Sequence, residues 1–149
     1  MRREGLAHAG FEDVTEAFEP TWRAWLDAAA AADALWFDEH LADEFCHIMG
    51  TGESETKDRV IATNAVVRNA RYEPLDLVAR RYGTTIVAQG QYFARGDIPT
   101  GLASEDVIDL YAEGVEVRFS TVWVPVDGEL RCVVMQSATV VESSLLALA

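Results

Sequence analysis

Asp127-Gly128 lies between two apolar, β-branched runs in VRFSTVWVPVDGELRCVVMQSATVV, Val117 to Val141. Asp-Gly readily supplies the two positive φ angles of a two-residue hairpin turn, so the stretch predicts two long antiparallel strands. With that turn Trp123 lies opposite Cys132, Thr121 opposite Val134 and Phe119 opposite Gln136, and cross-strand partners share a face. One face then carries Phe119, Thr121, Trp123, Cys132, Val134 and Gln136. The other carries Val122, Val124, Val133 and Met135 with Arg118 and Arg131. Both are largely apolar, so each must be covered.

The chain before the hairpin reads as helices followed by strands. Residues 1–10 show no periodicity and are expected to be a flexible tail, with 11–149 a single domain. Phe11, Val14, Phe18, Trp22, Trp25, Leu26 and Ala29 recur at helical spacing, and Pro20 is expected to kink or restart that helix. A short helix is expected over Asp33–Leu41 and a strand over Phe45–Met49. Thr56 is placed to cap a further helix, which Tyr72-Glu73-Pro74 is expected to end. Two strands, Leu75–Tyr82 and Thr85–Ala94, turn at Gly83. Residues 96–113 suggest a short helix capped by Ser104 and closed by Gly114, and serve as a candidate lid.

Charge and cysteine usage exclude several classes. The formal net charge of −13 disfavours a nucleic-acid or anionic-membrane partner. Residues 57–96 run against that trend with 7 bases to 3 acids, read as counter-charges to acidic neighbours. Cys46 and Cys132 lie in apolar runs, as reduced buried thiols do. No secretory signal or membrane-length apolar run is visible, so a cytoplasmic protein is expected. Adjacent Cys46 and His47 leave opposite faces of a strand, and there is no His-x-His or Cys-x-x-Cys spacing, so no metal is expected; with no phosphate loop and no Gly-x-Gly-x-x-Gly after a strand, no other cofactor is expected either.

Helices followed by antiparallel strands is an α+β order. Leu41-Ala42-Asp43-Glu44-Phe45, Thr56-Lys57 opening a helix, EPLDLVARRYGTTIVAQGQY and VRFSTVWVPVDGELRCVVMQS together resemble the nuclear-transport-factor-2-like superfamily. Within it the chain is most similar to the small bacterial SnoaL-like and ketosteroid-isomerase-like branches, from about Trp22 to Val140. The resemblance implies a curved antiparallel sheet wrapped into a cone by about three helices from the N-terminal half. It also implies an internal pocket and often a homodimer across the outer face of the sheet.

The resemblance turns alternation on the first strand into a site. Phe45, His47 and Met49 share one face, the face that looks into the cone in ketosteroid-isomerase-like proteins. A histidine there either works as an acid–base group or is a core residue bonded to a backbone carbonyl or to Gln136. The general-base aspartate of ketosteroid isomerases falls on Met49, and the aspartate of SnoaL-like cyclases falls on Thr121. Neither carboxylate is present, so the base is expected to be His47, or else an acid of the 96–113 segment such as Asp106 or Asp109, with Tyr92, Thr121 or Gln136 holding a carbonyl oxygen. Trp22, Trp36, Phe37, Phe45, Met49 and Trp123 are the expected apolar walls, and Ala88 and Gly90 would leave room beside Tyr92. Two functions remain open. One is a cofactor-free dehydratase, cyclase or isomerase acting on a hydrophobic carbonyl compound, polyketide-like or steroid-like. The other is a non-catalytic ligand-binding or dimerisation module.

Overall fold

The computed structural model describes residues 10–140, so the tail expected at the N-terminus falls almost wholly outside the described residues. Helix α1 spans Thr15–Ala31, α2 Ala34–His40, α3 Lys57–Val66 and α4 Glu105–Glu113. The strands are β1 Glu12–Asp13, β2 Leu41–Ile48, β3 Ser54–Thr56, β4 Arg68–Tyr82, β5 Thr85–Asp97, β6 Val115–Val126 and β7 Glu129–Val140. They form one curved, unclosed sheet in the order β1-β4-β5-β6-β7-β2-β3. The fold is α+β, as the order of elements predicts. One pair departs from the antiparallel expectation, because β2 runs parallel to β7. Hairpin chemistry fixes only strands joined by a tight turn, and these two are separated by most of the chain.

Side chains at the helix starts do what their positions suggest. Asp33, Thr56 and Ser104 each accept a hydrogen bond from the backbone N–H three residues on, of Trp36, Arg59 and Val107. Pro20 does not restart the helix: α1 runs unbroken through it. It lies in the second turn on the exposed side, where the Glu16 carbonyl it leaves unpaired can bond to water. The third helix ends at Val66, and the residues expected to stop it lie within β4. Pro74 is tolerated there because β1 covers β4 only at Arg80 and Arg81, which leaves β4 an edge strand at Pro74.

Irregular register bends the sheet. Trp123 pairs with Cys132 as the turn predicts, but Val122 pairs with Val134, leaving Val133 as an extra residue. A second shift, between Pro74 and Asp76, leaves Leu75 out of the ladder and exposed. Bulges of this kind bend a strand and increase its twist, and here they turn the sheet into a cone. α1 packs on the concave side. Its Phe18, Trp22, Trp25 and Leu26 meet Phe37, Phe45, Phe119 and Trp123 in one core. Trp22 stacks on Phe119 with ring centroids 3.9 Å apart, and Phe18 meets Trp123 edge-on at 5.2 Å.

Four of the seven bases of the basic middle, Lys57, Arg59, Arg71 and Arg81, form ion pairs. Lys57 is only 7% exposed; its Nζ donates to the Asp38 carbonyl at 2.8 Å and lies 3.1 Å from the Asp38 carboxylate. Arg81 pairs with Glu12, and Arg71 with Glu73. Arg80 lies over the Phe11 ring, 4.8 Å from its centroid.

Candidate functional site

The site is built where β2, β3 and β7 adjoin under α3. A turn after β2, with Gly52 at φ +89° and the Met49 N–H donating to the Glu53 carbonyl at 2.8 Å, folds β3 back along β2. His47 is thereby paired with Glu55, and opposed residues of an antiparallel pair share a face. The Glu55 carboxylate lies 3.3 Å from His47 Nδ1. Its second oxygen accepts a hydrogen bond of 3.0 Å from the Thr63 hydroxyl on α3, with Arg59 Nε 3.9 Å away. On the other side of the ring, His47 Nε2 is 2.7 Å from Ser137 Oγ.

Charge fixes the direction of these bonds. An ionised carboxylate can only accept, so Nδ1 carries the proton, and in the neutral form of the ring Nε2 is left to accept from the Ser137 O–H. The bond from His47 holds the Glu55 carboxyl below the usual carboxylate range; burial opposes this, and Thr63 and Arg59 assist. Side-chain exposures of 18% for His47 and 14% for Glu55 leave the pair reachable yet largely dry.

A pH dependence follows from that depressed acid. A carboxylate whose folded pKa lies below its unfolded value stabilises the fold above the unfolded pKa, and the gain is lost as pH falls through the folded one. Stability should therefore fall as acid is added below about pH 4.5, the ordinary value for Glu55. Urea midpoints of wild type and Glu55→Gln should converge over that range; parallel curves would show that Glu55 has no part in the acid limb.

The expected site residues separate into three groups. His47 faces the concave side as expected. Tyr92 is half-buried there too, near Tyr72 at a ring distance of 6.1 Å and packed with Tyr111 against Ala94 and Val117. Burial raises the pKa of all three phenols, that of Tyr111 to about 12, so each remains an O–H donor at neutral pH. Met49 is half-buried just past the end of β2.

A second group is core. Trp22, Phe37, Phe45 and Trp123 are buried among one another. Thr121 donates to the Ala88 carbonyl at 3.0 Å and accepts from Trp123 Nε1 at 2.9 Å, so its single O–H is already committed. The room expected at Ala88 and Gly90 is filled. Ala88 is fully buried, and the space of a Gly90 side chain is taken by the Asp76 carbonyl.

The third group lies elsewhere. Trp36 is half-buried at the outer edge of the core, against Trp25 and Phe37, and stacks on His40 at 4.0 Å. Gln136 is exposed on the outer face, because the extra residue at Val133 inverts the facing of everything after it. Ser137 takes the inward place, opposite Phe119, and Met135 is buried instead of contributing to the outer face.

Glu55, Thr63 and Ser137 were not among the expected site residues. Gly50 and Gly52 signal a tight turn, and reading it as a hairpin would have brought Glu55 to His47. No local signal marks the bulge that brings in Ser137.

Two depressions of the surface lie outside the cone. One of about 350 Å³ is lined by Asp38, Asp43, Glu44, Lys57 and Arg131 among others, and one of about 420 Å³ by Glu12–Val14, Glu16 and Ala17. Among the described residues no three His, Cys, Asp or Glu side chains converge as a metal would require, and no helix is long and apolar enough to cross a membrane.

No protein-family model matches the sequence, and no curated protein matches it. Solved structures do resemble its fold. An NTF2-like protein from Cytophaga hutchinsonii matches with a TM-score of 0.69 at 19% identity, over 84% of this chain and 97% of its own. A protein assigned as a Ca/calmodulin-dependent kinase II association domain from Exiguobacterium sibiricum matches with a TM-score of 0.64 at 10% identity, over 85% of this chain and 92% of its own. A hexachlorocyclohexane dehydrochlorinase, LinA type 2, matches with a TM-score of 0.64 at 7% identity, over 83% of each chain. The curved, unclosed sheet and its helices thus follow the overall fold of these proteins, and this chain has the NTF2-like, cystatin-like fold.

Proposed function

We propose that the protein is a small-molecule enzyme that uses His47 as a cofactor-free acid–base group on a hydrophobic carbonyl compound, in a dehydration, cyclisation or isomerisation. The observation that carries this reading is the imidazole held at Nδ1 by the Glu55 carboxylate, with Nε2 beside Ser137 Oγ on the concave side and only partly exposed. A substrate C–H or O–H meeting Nε2 in place of the Ser137 hydroxyl would give up its proton there, and Glu55 would stabilise the imidazolium that forms. Tyr92, an O–H donor at neutral pH, would donate to a substrate oxygen conjugated through the ring system to the reacting carbon, where charge develops as the proton leaves.

Ser137 and Tyr92 stand two strands and one inward step apart, roughly 12 Å along the sheet at ordinary strand spacings. A substrate of several rings spans that gap better than a small one, consistent with a polyketide-like or steroid-like class. Helix α4, tied to β5 by Arg95 Nε donating to the Ala112 carbonyl at 3.1 Å, would serve as the lid over the Tyr92 end.

The test is deuterium exchange at the α-carbon of multi-ring ketones, followed by NMR for wild type and His47→Gln. Exchange should slow by ~10²-fold or more in the variant while its circular dichroism is unchanged, as for loss of a general base. Hydrogen exchange in α4 should slow when such a ketone binds. Full activity in His47→Gln would sink the proposal.

One feature favours the alternative of a binding or association module: the stacked Trp22 and Phe119 fill the part of the cone under α1. A homodimer accompanies either reading. Val87, Val122 and Val134 are neighbours across β5, β6 and β7 on the outer face, with Val124 beside them. Two such faces packed together would bury on the order of 800 Å² per partner. Light scattering at micromolar concentration should give twice the chain mass, and Val122→Glu should halve it. A wild-type monomer would rule the dimer out.

A further inference from the structure

The geometry assigns Ser137 as a nucleophile: Glu55, His47 and Ser137 form a Ser–His–Glu relay that gives the protein acyl-transfer activity on neutral esters of apolar carboxylic acids. This rests on His47 being the working base but adds a covalent step that proton shuttling does not need. Three features support it. First, the three groups stand in working order, with carboxylate to Nδ1 at 3.3 Å and Nε2 to Oγ at 2.7 Å. The roles in such a relay are recognised by geometry, and chain order differs among the known versions. Second, the acid end is fixed. Thr63 holds the far carboxylate oxygen at 3.0 Å, so Glu55 keeps the proton on Nδ1 and leaves Nε2 to accept from Ser137. Third, three separate strands supply the three groups, and Ser137 is brought to His47 only by the extra residue at Val133. Bulges commonly re-aim a side chain beside an active site.

The surroundings define the substrate. Phe119 faces Ser137 across the β6–β7 pair, and Met49 lies just beyond the end of β2, so the floor beside Oγ is apolar. A net charge of −13 disfavours anionic substrates. In the reaction His47 Nε2 takes the Ser137 proton while Oγ attacks the ester carbonyl carbon. The C–O bond to the alcohol then breaks, and His47 returns the proton to the leaving alkoxide. Water, deprotonated by the same nitrogen, attacks the acyl-serine and releases the acid, restoring Ser137 O–H.

The experiment uses an alkyl fluorophosphonate on the intact protein, read by whole-protein mass and peptide mapping. One phosphonyl group should add at Ser137 with loss of fluoride, and the rate should drop by at least ~10²-fold in His47→Gln. Ser137→Ala should take no label. Ser137→Cys, which preserves the small polar side chain, should be alkylated by iodoacetamide faster with His47 present than with Gln there. No adduct at Ser137 with excess probe, or labelling at an unchanged rate in His47→Gln, would overturn the assignment. An unlabelled Ser137 in a protein that still shows His47-dependent ketone exchange removes the nucleophile alone. A labelled Ser137 without ketone exchange removes the acid–base reading alone.

Discussion

Gly90→Ala should destabilise the protein by about 3 kcal/mol or more, although the same substitution in an unstrained position usually gains 0.4–1 kcal/mol from the unfolded chain. The reason is backbone against backbone. A methyl group on Gly90 would lie 2.0 Å from the Asp76 carbonyl oxygen, 2.7 Å from its carbon and 3.0 Å from Leu77 Cα. None of these is the end of a side chain that could swing away. The bulge at Leu75 bends β4 across Gly90, so relieving the clash means undoing the bend that gives the sheet its curvature. At this chain length the loss corresponds to a fall in Tm of roughly 6–12 °C. Gly50→Ala is the control. The nearest atoms to its new methyl are at 3.5 Å, ordinary contact, and its stability should change by less than ~1 kcal/mol. If Gly90→Ala melts with wild type, the close approach of β4 to β5 is wrong.

The same bulges explain how far the fold could be read in advance. The caps at Asp33, Thr56 and Ser104 and the turns at Gly83 and Asp127-Gly128 are local chemistry, and each element they delimit is present. The α+β order and the cone followed from those elements together with the superfamily resemblance. Pairing across β6 and β7 follows the turn from Val126–Glu129 to Trp123–Cys132 and then slips by one residue. Nothing in Cys132-Val133-Val134 distinguishes a regular strand from a bulged one, since valine suits both. The cost of missing it is large, because a strand has a period of two and one extra residue moves every later side chain to the other face. Gln136 and Ser137 exchanged places for that reason alone.

The candidate site was legible only in part. His47 could be placed on the concave face from alternation plus the resemblance. Its partner Glu55 is eight residues away in sequence, but finding it required treating Gly50–Glu53 as a tight turn and β3 as a strand of only three residues, Ser54–Thr56. Thr121 looked like a free hydroxyl because sequence gives facing but not partners; the Ala88 carbonyl and the Trp123 indole already occupy it. The sequence makes Trp22, Trp36 and Trp123 walls of a pocket, and two of the three, Trp22 and Trp123, are fully buried in the core. An apolar aromatic stripe has the same pattern whether it surrounds a ligand or fills the ligand's place.

Trp22 is where that distinction can be measured. It is fully buried, stacks on Phe119 and touches Trp25 and Tyr92, yet its indole N–H has no hydrogen-bond partner among the described residues. Trp22→Ala should cost about 3–5 kcal/mol, since it removes one of the largest fully buried side chains of the core and leaves a cavity. Trp22→Phe should behave differently. It leaves a void of roughly 40 Å³, which at ~24 cal/mol per Å³ costs about 1 kcal/mol beyond the lost transfer term. It also deletes a buried donor whose desolvation costs about 1–3 kcal/mol when unmet. The lost transfer and cavity terms together nearly cancel the relieved desolvation, and Trp22→Phe should unfold within ~1 kcal/mol of wild type in urea. A Phe variant as unstable as the Ala variant would mean that the N–H is bonded in the folded protein, and that Trp22 holds a partner instead of merely filling space. If Trp22→Ala folds and gains affinity for a small aromatic probe such as indole while wild type has none, this part of the cone is closed in the native protein. Substrate access would then be confined to the His47 and Tyr92 side.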